Sequence, residues 1–310
     1  MMKRKHQDYT LVPFPKMRRV LSVMLNSVQR KHMMHGLVEM DITKAHQYMR
    51  EYKARTGDSL SLTAFIVTCL ARAVDENKSV QAYRKGKNQL VLFEDVDVTV
   101  QVERKVIGQN KPASSISSTI SSQQNGHRSV HGQRNYRVDT LFPHIIKAAN
   151  KKSFMEIHQE IRAAQKEKIE TTLKFRALKW TALLPTFMIV FFWRMLWWMI
   201  MRYPRLQKNY GGTVGVTAVG MFGKGSGWGI PTAAHTLDIT LGGIGEKPFV
   251  KDGRIETREY LNMTISMDHD IIDGAPATRF ALRLKELIES GYGLIDQDSV
   301  SRRNNTITDA

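Results

Sequence analysis

The stretch MTISMDHDIIDGAPATRF, residues 263–280, sets His269 between two aspartates and follows it with Asp273 and Gly274. The residues before His269 alternate between apolar and polar types and predict a strand. The residues after Gly274 have the apolar spacing of an amphipathic helix. His269 is therefore expected at a strand end, with Asp273 and Gly274 in a tight connection where glycine permits a φ angle that other residues avoid.

A histidine held in such a turn can act in catalysis. A neighbouring carbonyl or carboxylate can fix one ring nitrogen, which leaves the other nitrogen available as a general base near neutral pH. An alternative stays open on spacing alone, because His-x3-Asp-Gly strings are common and a histidine and an aspartate can simply close a turn.

Strands and helices are both predicted in the sequence that precedes this turn. Downstream of residue 210, we predict a strand that runs into a glycine-rich turn over 211–229, and a second strand over 236–250. Upstream, we predict a helix over 17–35, a strand over 37–43 and a strongly apolar helix over 61–77. This mixture indicates an α/β sandwich.

Two segments depart from that pattern, within a chain otherwise expected to form a single domain over 1–310. The serine-rich stretch around 114–135 predicts a polar surface-loop insertion at 113–137. Residues 181–201 are long and apolar enough to cross a bilayer, with Arg194 as the one charge. A single crossing would separate two halves of one domain, so we expect a hydrophobic helix that is buried, faces a partner or lies in a membrane interface.

The composition narrows the possible partners. The net charge is +17, from 46 Lys and Arg against 29 Asp and Glu, which suits an anionic partner or a phosphorylated substrate. No zinc-finger spacing or aromatic RNA-binding signature accompanies this charge, so we expect no nucleic acid partner. Cys69 is the one cysteine, and it lies in an apolar run where an inert buried thiol is the default. We expect a cytoplasmic protein, possible membrane contact aside.

Several motifs, taken in order, resemble a known family. Residues 263–289 are similar to the active-site segment of the acyltransferases that form the core of 2-oxoacid dehydrogenase complexes, whose pattern is Asp-His-Arg-x-x-Asp-Gly. GGTVGVTAVGMFG (211–223) resembles the glycine-rich strand of that family. LTAFIVTCLARAVDENKSVQAY (62–83) and RRVLSVMLNSVQRK (18–31) resemble two of its helices.

The resemblance implies a fold, an assembly and a set of roles. The fold would be a chloramphenicol acetyltransferase-like two-layer sandwich with a mixed β-sheet, and the active sites would lie between the subunits of a trimer. His269 would be the general base that takes the proton from the thiol of coenzyme A. Thr217 would donate to the oxyanion of the tetrahedral intermediate, a contribution of roughly 3 kcal/mol. Asp273 would brace the loop through an arginine, with Arg18 as candidate, and Gly274 would support the turn; no metal is expected.

The chain also departs from the family pattern. Asp270 stands where the family has arginine, and Ala218 where it has asparagine. The family's Gly-Leu-x-x-Pro strand is not recognisable in RKVIGQNKPASS (104–115). Nothing ahead of the catalytic region offers a lipoyl-bearing Asp-Lys-Ala hairpin, so either lipoate comes on another protein or the acyl acceptor is different.

The resulting prediction is an acyltransferase that uses coenzyme A or acyl-coenzyme A and resembles the dihydrolipoamide acyltransferase core. The expected partners are copies of the chain in a homotrimer or a multiple of three, a lipoyl-carrying protein, and a membrane surface touched through 181–201. Two alternatives remain: a stand-alone acyltransferase that acts on a small molecule or lipid, and a non-catalytic membrane-associated scaffold with the same fold.

Overall fold

The computed structural model describes residues 22, 25, 26, 31–107, 137–166, 186–219 and 225–294. In chain order the strands are β1 Met33–Asp41, β2 Tyr83–Lys85, β3 Gln89–Val91, β4 Val98–Ile107, β5 Arg137–Ile146, β6 Val214–Ala218, β7 Leu237–Lys251 and β8 Arg254–Asp268. The α-helices are α1 Thr43–Thr56, α2 Leu62–Glu76, α3 Phe154–Lys166, α4 Thr186–Arg202, α5 Pro204–Gly211 and α6 Gly274–Ser290.

Six strands form one mixed sheet in the order β1-β8-β7-β6-β4-β5. The pairs β1–β8 and β7–β8 are antiparallel, whereas β6 runs parallel to both β4 and β7. β2 and β3 form a separate two-stranded ribbon. The α/β fold with a mixed sheet that the sequence predicts is confirmed.

The two faces of the sheet differ in chemistry because side chains alternate along each strand. One face is apolar: Val216, Ile239 and Ile265 lie in register on three neighbouring strands and belong to the core. The opposite face is polar in the same strands, with Thr217, Thr240 and Thr264 one residue further along. The polar face therefore carries Thr217, the oxyanion donor expected from the sequence.

Helix α2 forms the centre of the helical layer. The Ser61 side chain accepts a hydrogen bond from the Ala64 amide at 3.3 Å and caps the first turn. Most residues of the helix are buried, including Phe65, Cys69 and Leu70, so the whole helix lies within the core. Truncation of a ring such as Phe65 in this layer costs about 3–5 kcal/mol.

One helix boundary predicted from the sequence is wrong, and one predicted loop lies mostly outside the described residues. The predicted helix over 17–35 is wrong at its end, because β1 begins at Met33 and pairs with β8 over its whole length. Backbone pairing with β8 outweighs the local helical pattern there. Most of the predicted loop at 113–137 lies outside the described residues, and Arg137 begins β5.

The helix predicted over 181–201 is described from Thr186 to Arg202 as α4. Among the described residues, no helix is both long and apolar enough to cross a membrane. The chain divides into two compact units, of which the smaller comprises 1–27, 105–138 and 169–197 and the larger the rest. The expectation of a single domain with two inserted segments stays a prediction.

Candidate active site

The backbone around His269 is held by hydrogen bonds that include two within the turn and one to His32. β8 ends at Asp268, whose carbonyl accepts from the Ile271 amide at 3.1 Å and the Ile272 amide at 3.0 Å. The His269 amide donates to the His32 carbonyl at 2.8 Å. The His269 side chain is 51% exposed. A fixed backbone thus presents an imidazole that an approaching thiol can reach.

Asp273 lies near the ring but does not hold it. The distance from His269 Nδ1 to Asp273 Oδ1 is 3.9 Å, which is longer than a hydrogen bond, and the Asp273 side chain is 87% exposed. The Asp273 carbonyl accepts from the Ala277 amide at 3.1 Å, so this residue is the N-cap of α6 through its backbone. Arg18, the expected partner of Asp273, lies outside the described residues.

Gly274 does not have the conformational role that the sequence suggests. It is absent from the glycines with positive φ, and a Cβ atom at this position would meet nothing within 4 Å. The reason is that Asp273 is extended, with φ −81° and ψ 165°, and the chain enters α6 directly at Gly274. The expectation of a special φ angle at Gly274 is therefore wrong.

Asp270, which replaces the family's arginine, has a partner that the motif does not reveal. Its Oδ1 atom lies 2.9 Å from His32 Nδ1. The hydrogen bond to Asp270 raises the pKa of His32, and the same bond lowers the pKa of Asp270. His32 therefore contacts the His269 turn twice, through its carbonyl at His269 and through its ring at Asp270.

Lys31 lies under the same turn. Its Nζ donates to the Ala234 carbonyl at 2.9 Å and lies 3.8 Å from Asp268 Oδ2. Asp268 Oδ1 in turn accepts from the Asp270 amide at 3.2 Å. Burial lowers the pKa of Lys31 despite the opposing effects of Asp268 and Asp238. The turn thus contacts a partly buried ion pair between residues far apart in sequence.

A second buried pair, His235 and Asp238, lies at the start of β7. His235 Nδ1 is 2.7 Å from Asp238 Oδ1, and Nε2 is 2.6 Å from the Gly211 carbonyl oxygen. Both ring nitrogens face acceptors, so the ring must carry both protons to satisfy them. Burial lowers the pKa of His235, but the charge and hydrogen bonds of Asp238 outweigh burial and the net shift is upward.

This pair explains the glycine at position 215. A Cβ atom on Gly215 would lie 1.9 Å from Asp238 Oδ1, so a larger residue would displace the carboxylate. Gly215 lies two residues before Thr217 on β6. The His235–Asp238 pair therefore packs against the strand that carries the candidate oxyanion donor. Spacing alone offered only the His-x-x-Asp string as a signal for this pair.

Thr217 and His269 are distant from each other within one chain. Thr217 pairs in register with Thr240, and Thr240 with Thr264, which lies five residues before His269. Five residues of strand span about 17 Å, and two strand spacings add about 10 Å sideways. The described chain therefore does not bring the expected base and the expected oxyanion donor together.

The polar row that contains Thr217 lies beneath the glycine-rich segment after β6. The Gly243 amide donates to the Gly227 carbonyl at 2.8 Å, and Asn262 Nδ2 donates to Ser226 Oγ at 2.6 Å. Three of the buried polar atoms without a hydrogen-bond partner among the described residues lie in this region: Thr240 Oγ1, Asn262 Oδ1 and Thr264 Oγ1. The neighbourhood of Thr217 thus offers hydroxyl groups with unused bonding capacity.

The features described next add no residue to the candidate active site. An apolar cavity of about 370 Å³ between β1, β8 and α6 includes Met34, Met267 and Ala281 in its lining, but neither His269 nor Thr217 lines it. Within the described ranges, no group of three or more His, Cys, Asp or Glu could hold a metal ion. β4 continues to Ile107, so a strand exists where the family's Gly-Leu-x-x-Pro pattern was not recognisable.

Comparison with known families gives a match in two blocks. The model for 2-oxoacid dehydrogenases acyltransferase (catalytic domain) matches residues 6–106 and 205–295. The unmatched stretch between the blocks contains both segments, 113–137 and 181–201, that departed from the sequence pattern. The resemblance inferred from the motifs is confirmed.

Individual proteins give a consistent result. The lipoamide acyltransferase component of the branched-chain alpha-keto acid dehydrogenase complex of Bacillus subtilis (strain 168) is 23% identical over 259 residues, which cover 82% of this chain and 46% of that protein. The chain thus spans about half the length of this relative.

Solved structures agree on the fold. A probable dihydrolipoamide acetyltransferase from Listeria monocytogenes 4b F2365 superposes with a TM-score of 0.58 at 19% identity, covering 91% of this chain and 95% of that one. The cubic core of a pyruvate dehydrogenase multienzyme complex gives 0.61 at 16% identity, covering 94% and 96%.

Proposed function

The chain belongs to the 2-oxoacid dehydrogenase acyltransferase (catalytic domain) family, and on this premise we propose that it is a coenzyme A-dependent acyltransferase. The observation that carries the proposal is the His269 turn. The backbone is fixed by the His32 carbonyl, while half of the His269 side chain is open to a substrate. An exposed imidazole on a fixed backbone can accept a proton from a thiol and return it.

The proposed reaction moves an acyl group between two thiols. His269 takes the proton of the coenzyme A thiol, and the thiolate sulfur attacks the carbonyl carbon of an acyl thioester. The carbonyl oxygen becomes an oxyanion, to which the Thr217 hydroxyl donates a hydrogen bond. The intermediate collapses with loss of the second thiolate, which takes its proton back from the His269 imidazolium. Lipoate on another protein would supply the second thiol.

The proposed site lies between subunits of a homotrimer or a multiple of three. The support is the separation of Thr217 from His269 along the sheet of one chain, which a neighbouring copy can bridge by supplying the missing residue. The site also needs an anion-binding surface, because coenzyme A carries phosphates. The net charge of +17 is compatible with such a surface.

Two alternatives keep specific support. A stand-alone acyltransferase on a small molecule or lipid is favoured by the apolar helix α4. A non-catalytic scaffold is favoured by Asp270, because an acidic residue there replaces the basic arginine of the family motif. The ion pair of Asp270 with His32 weakens this second alternative, because the substituted residue has a matched partner. We also propose a cytoplasmic location with peripheral membrane contact through 181–201.

The test is release of free thiol from a panel of acyl-coenzyme A thioesters, with and without dihydrolipoamide. Wild type should turn over at least one thioester, and His269→Ala should lower turnover about 100-fold or more while circular dichroism stays unchanged. His144→Ala is a matched control, because His144 is a partly buried histidine paired with Glu160 at 3.3 Å on another element. Turnover of His269→Ala above about a tenth of wild type would refute the assignment of the base.

A further inference from the structure

Helix α4 presents one continuous apolar face to its surroundings. At 100° per residue, seven exposed side chains fall within an arc of about 140° around the helix axis. They are Phe187, Met188, Phe191, Phe192, Met195, Trp198 and Met199. The opposite side of the helix, with Trp193, Leu196 and Trp197, is less exposed.

The exposed face is larger than an ordinary surface patch. Phe187 is 73% exposed, Phe191 69% and Trp198 65%. With about 200 Å² for each of the seven side chains, the exposed apolar area is roughly 800 Å². A typical monomer's largest apolar patch covers a few hundred Å², so a face of this size marks an interaction surface.

The positive charge around this apolar face favours an anionic partner. Every formally charged residue between Glu170 and Asp238 is Lys or Arg. Arg194 lies at the edge of the apolar arc, Arg202 lies within the arc at the last residue of the helix, and Arg205 follows in α5; all three are exposed. A second copy of this chain would bring an identical acid-free segment against the first, and like charges would oppose that contact.

The length of the helix sets its orientation. Seventeen residues of α-helix extend about 25 Å, less than the roughly 30 Å of a bilayer's hydrocarbon core. An apolar face with arginines at its edge and its end matches a helix that lies in the plane of the interface, where aromatic rings occupy the headgroup level.

We propose that α4 docks on an anionic lipid surface, with the side of Phe191 and Trp198 toward the acyl chains and Arg194, Arg202 and Arg205 at the phosphates. This proposal specifies the lipid class and the binding face of the membrane contact proposed above. It rests on that contact and is independent of acyl transfer.

The experiment is flotation of the full chain with liposomes of phosphatidylcholine alone or mixed with phosphatidylglycerol. Wild type should float with the anionic vesicles, more weakly at high salt, and stay behind with phosphatidylcholine alone. The double variant Arg202→Gln, Arg205→Gln should bind anionic vesicles about tenfold or more weakly, because each basic residue near such a surface adds to the affinity.

Two further variants test whether membrane binding depends on the apolar face of α4 or on exposed apolar residues in general. Phe191→Ser, Phe192→Ser, Trp198→Ser together should abolish flotation without changing thiol release. The matched control is Leu90→Ser, Leu92→Ser, Ile255→Ser, which removes comparably exposed apolar residues from the β2–β3 ribbon region and β8 and should float like wild type.

Two other outcomes overturn the proposal. Wild type that stays soluble with both vesicle types, while the α4 triple variant changes oligomeric mass, would make the face a contact between copies. Equal flotation with neutral and anionic vesicles would exclude the assigned role of the arginines. Absence of thiol release alone would refute the proposed acyltransferase and leave this surface untouched.

Discussion

At the scale of single residues, Lys31 and Asp268 show how much of the candidate site rests on side chains outside the motif. The Lys31 ammonium lies 3.8 Å from the Asp268 carboxylate, whose side chain is 6% exposed. Asp268 directly precedes His269, and its second oxygen holds the Asp270 amide. A substitution at Lys31 should therefore alter the His269 turn through its effect on Asp268.

Lys31→Met is expected to lower the free energy of unfolding by about 3–5 kcal/mol, because it leaves a buried carboxylate without its counter-charge. Asp268→Asn in the same chain should recover much of this loss, since the amide oxygen can still accept from Asp270. Urea unfolding of the two single variants and the double variant gives the coupling free energy. Strict additivity of the two single losses would show that the residues do not act as a pair.

Thr217→Val is expected to lower kcat more than it raises KM, because an oxyanion donor acts mainly in the transition state. The loss should be on the order of 100-fold. Thr217→Ser, which keeps the hydroxyl, serves as the matched control and should stay within a few-fold of wild type. Thiol release over a range of substrate concentrations gives kcat and KM for both variants, and equal kcat in the Val variant and wild type would remove Thr217 from the mechanism.

At the scale of elements, the pair of His235 and Asp238 connects α5, β6 and β7. The ring reaches the Gly211 carbonyl at the end of α5, the carboxylate belongs to β7, and Gly215 of β6 leaves room for both. The pKa of Asp238 is lowered, since the charge of His235 and the hydrogen bonds from it outweigh burial. Both shifts favour the charged forms, an imidazolium beside a carboxylate, in the folded protein.

This pair makes folding stability depend on pH in a defined direction. The pKa of His235 is raised in the fold, so its contribution is fully present below about pH 6.5 and is lost as pH rises through the folded value. Above that value the neutral ring would turn a lone pair toward an acceptor. Urea midpoints of wild type should fall over this range, and those of His235→Gln should change less. Parallel curves for the two proteins would contradict the assignment.

At the scale of the whole molecule, the separation of Thr217 from His269 predicts an oligomer built from sites shared between copies. Light scattering should give a trimer or a multiple of three. A fully active monomer would rule out a site shared between subunits.

Complementation offers a sharper test. When His269→Ala and Thr217→Val chains are co-expressed, about a quarter of the interfaces in randomly mixed trimers should pair an intact base with an intact donor. Activity should then exceed that of either variant alone. Mixed trimers, verified by differential tagging, that are no more active than the separate variants would place both residues of a site in one chain.

The sequence by itself determined the local features and the family. Alternation before His269 and helical spacing after Gly274 predicted the strand, turn and helix that β8 and α6 form, because these patterns follow from the geometry of neighbouring residues. The ordered motifs identified the α/β fold with its mixed sheet. The apolar run at 181–201 predicted the helix described as α4.

Only the tertiary structure decided the surroundings of His269. Lys31 and His32 reach the turn across more than two hundred residues of sequence, and β1 begins at Met33 because its partner β8 lies beside it. Gly274 proved conformationally ordinary because Asp273 before it is extended. Spacing along a chain carries no information about such long-range contacts, since they depend on how the sheet orders its strands.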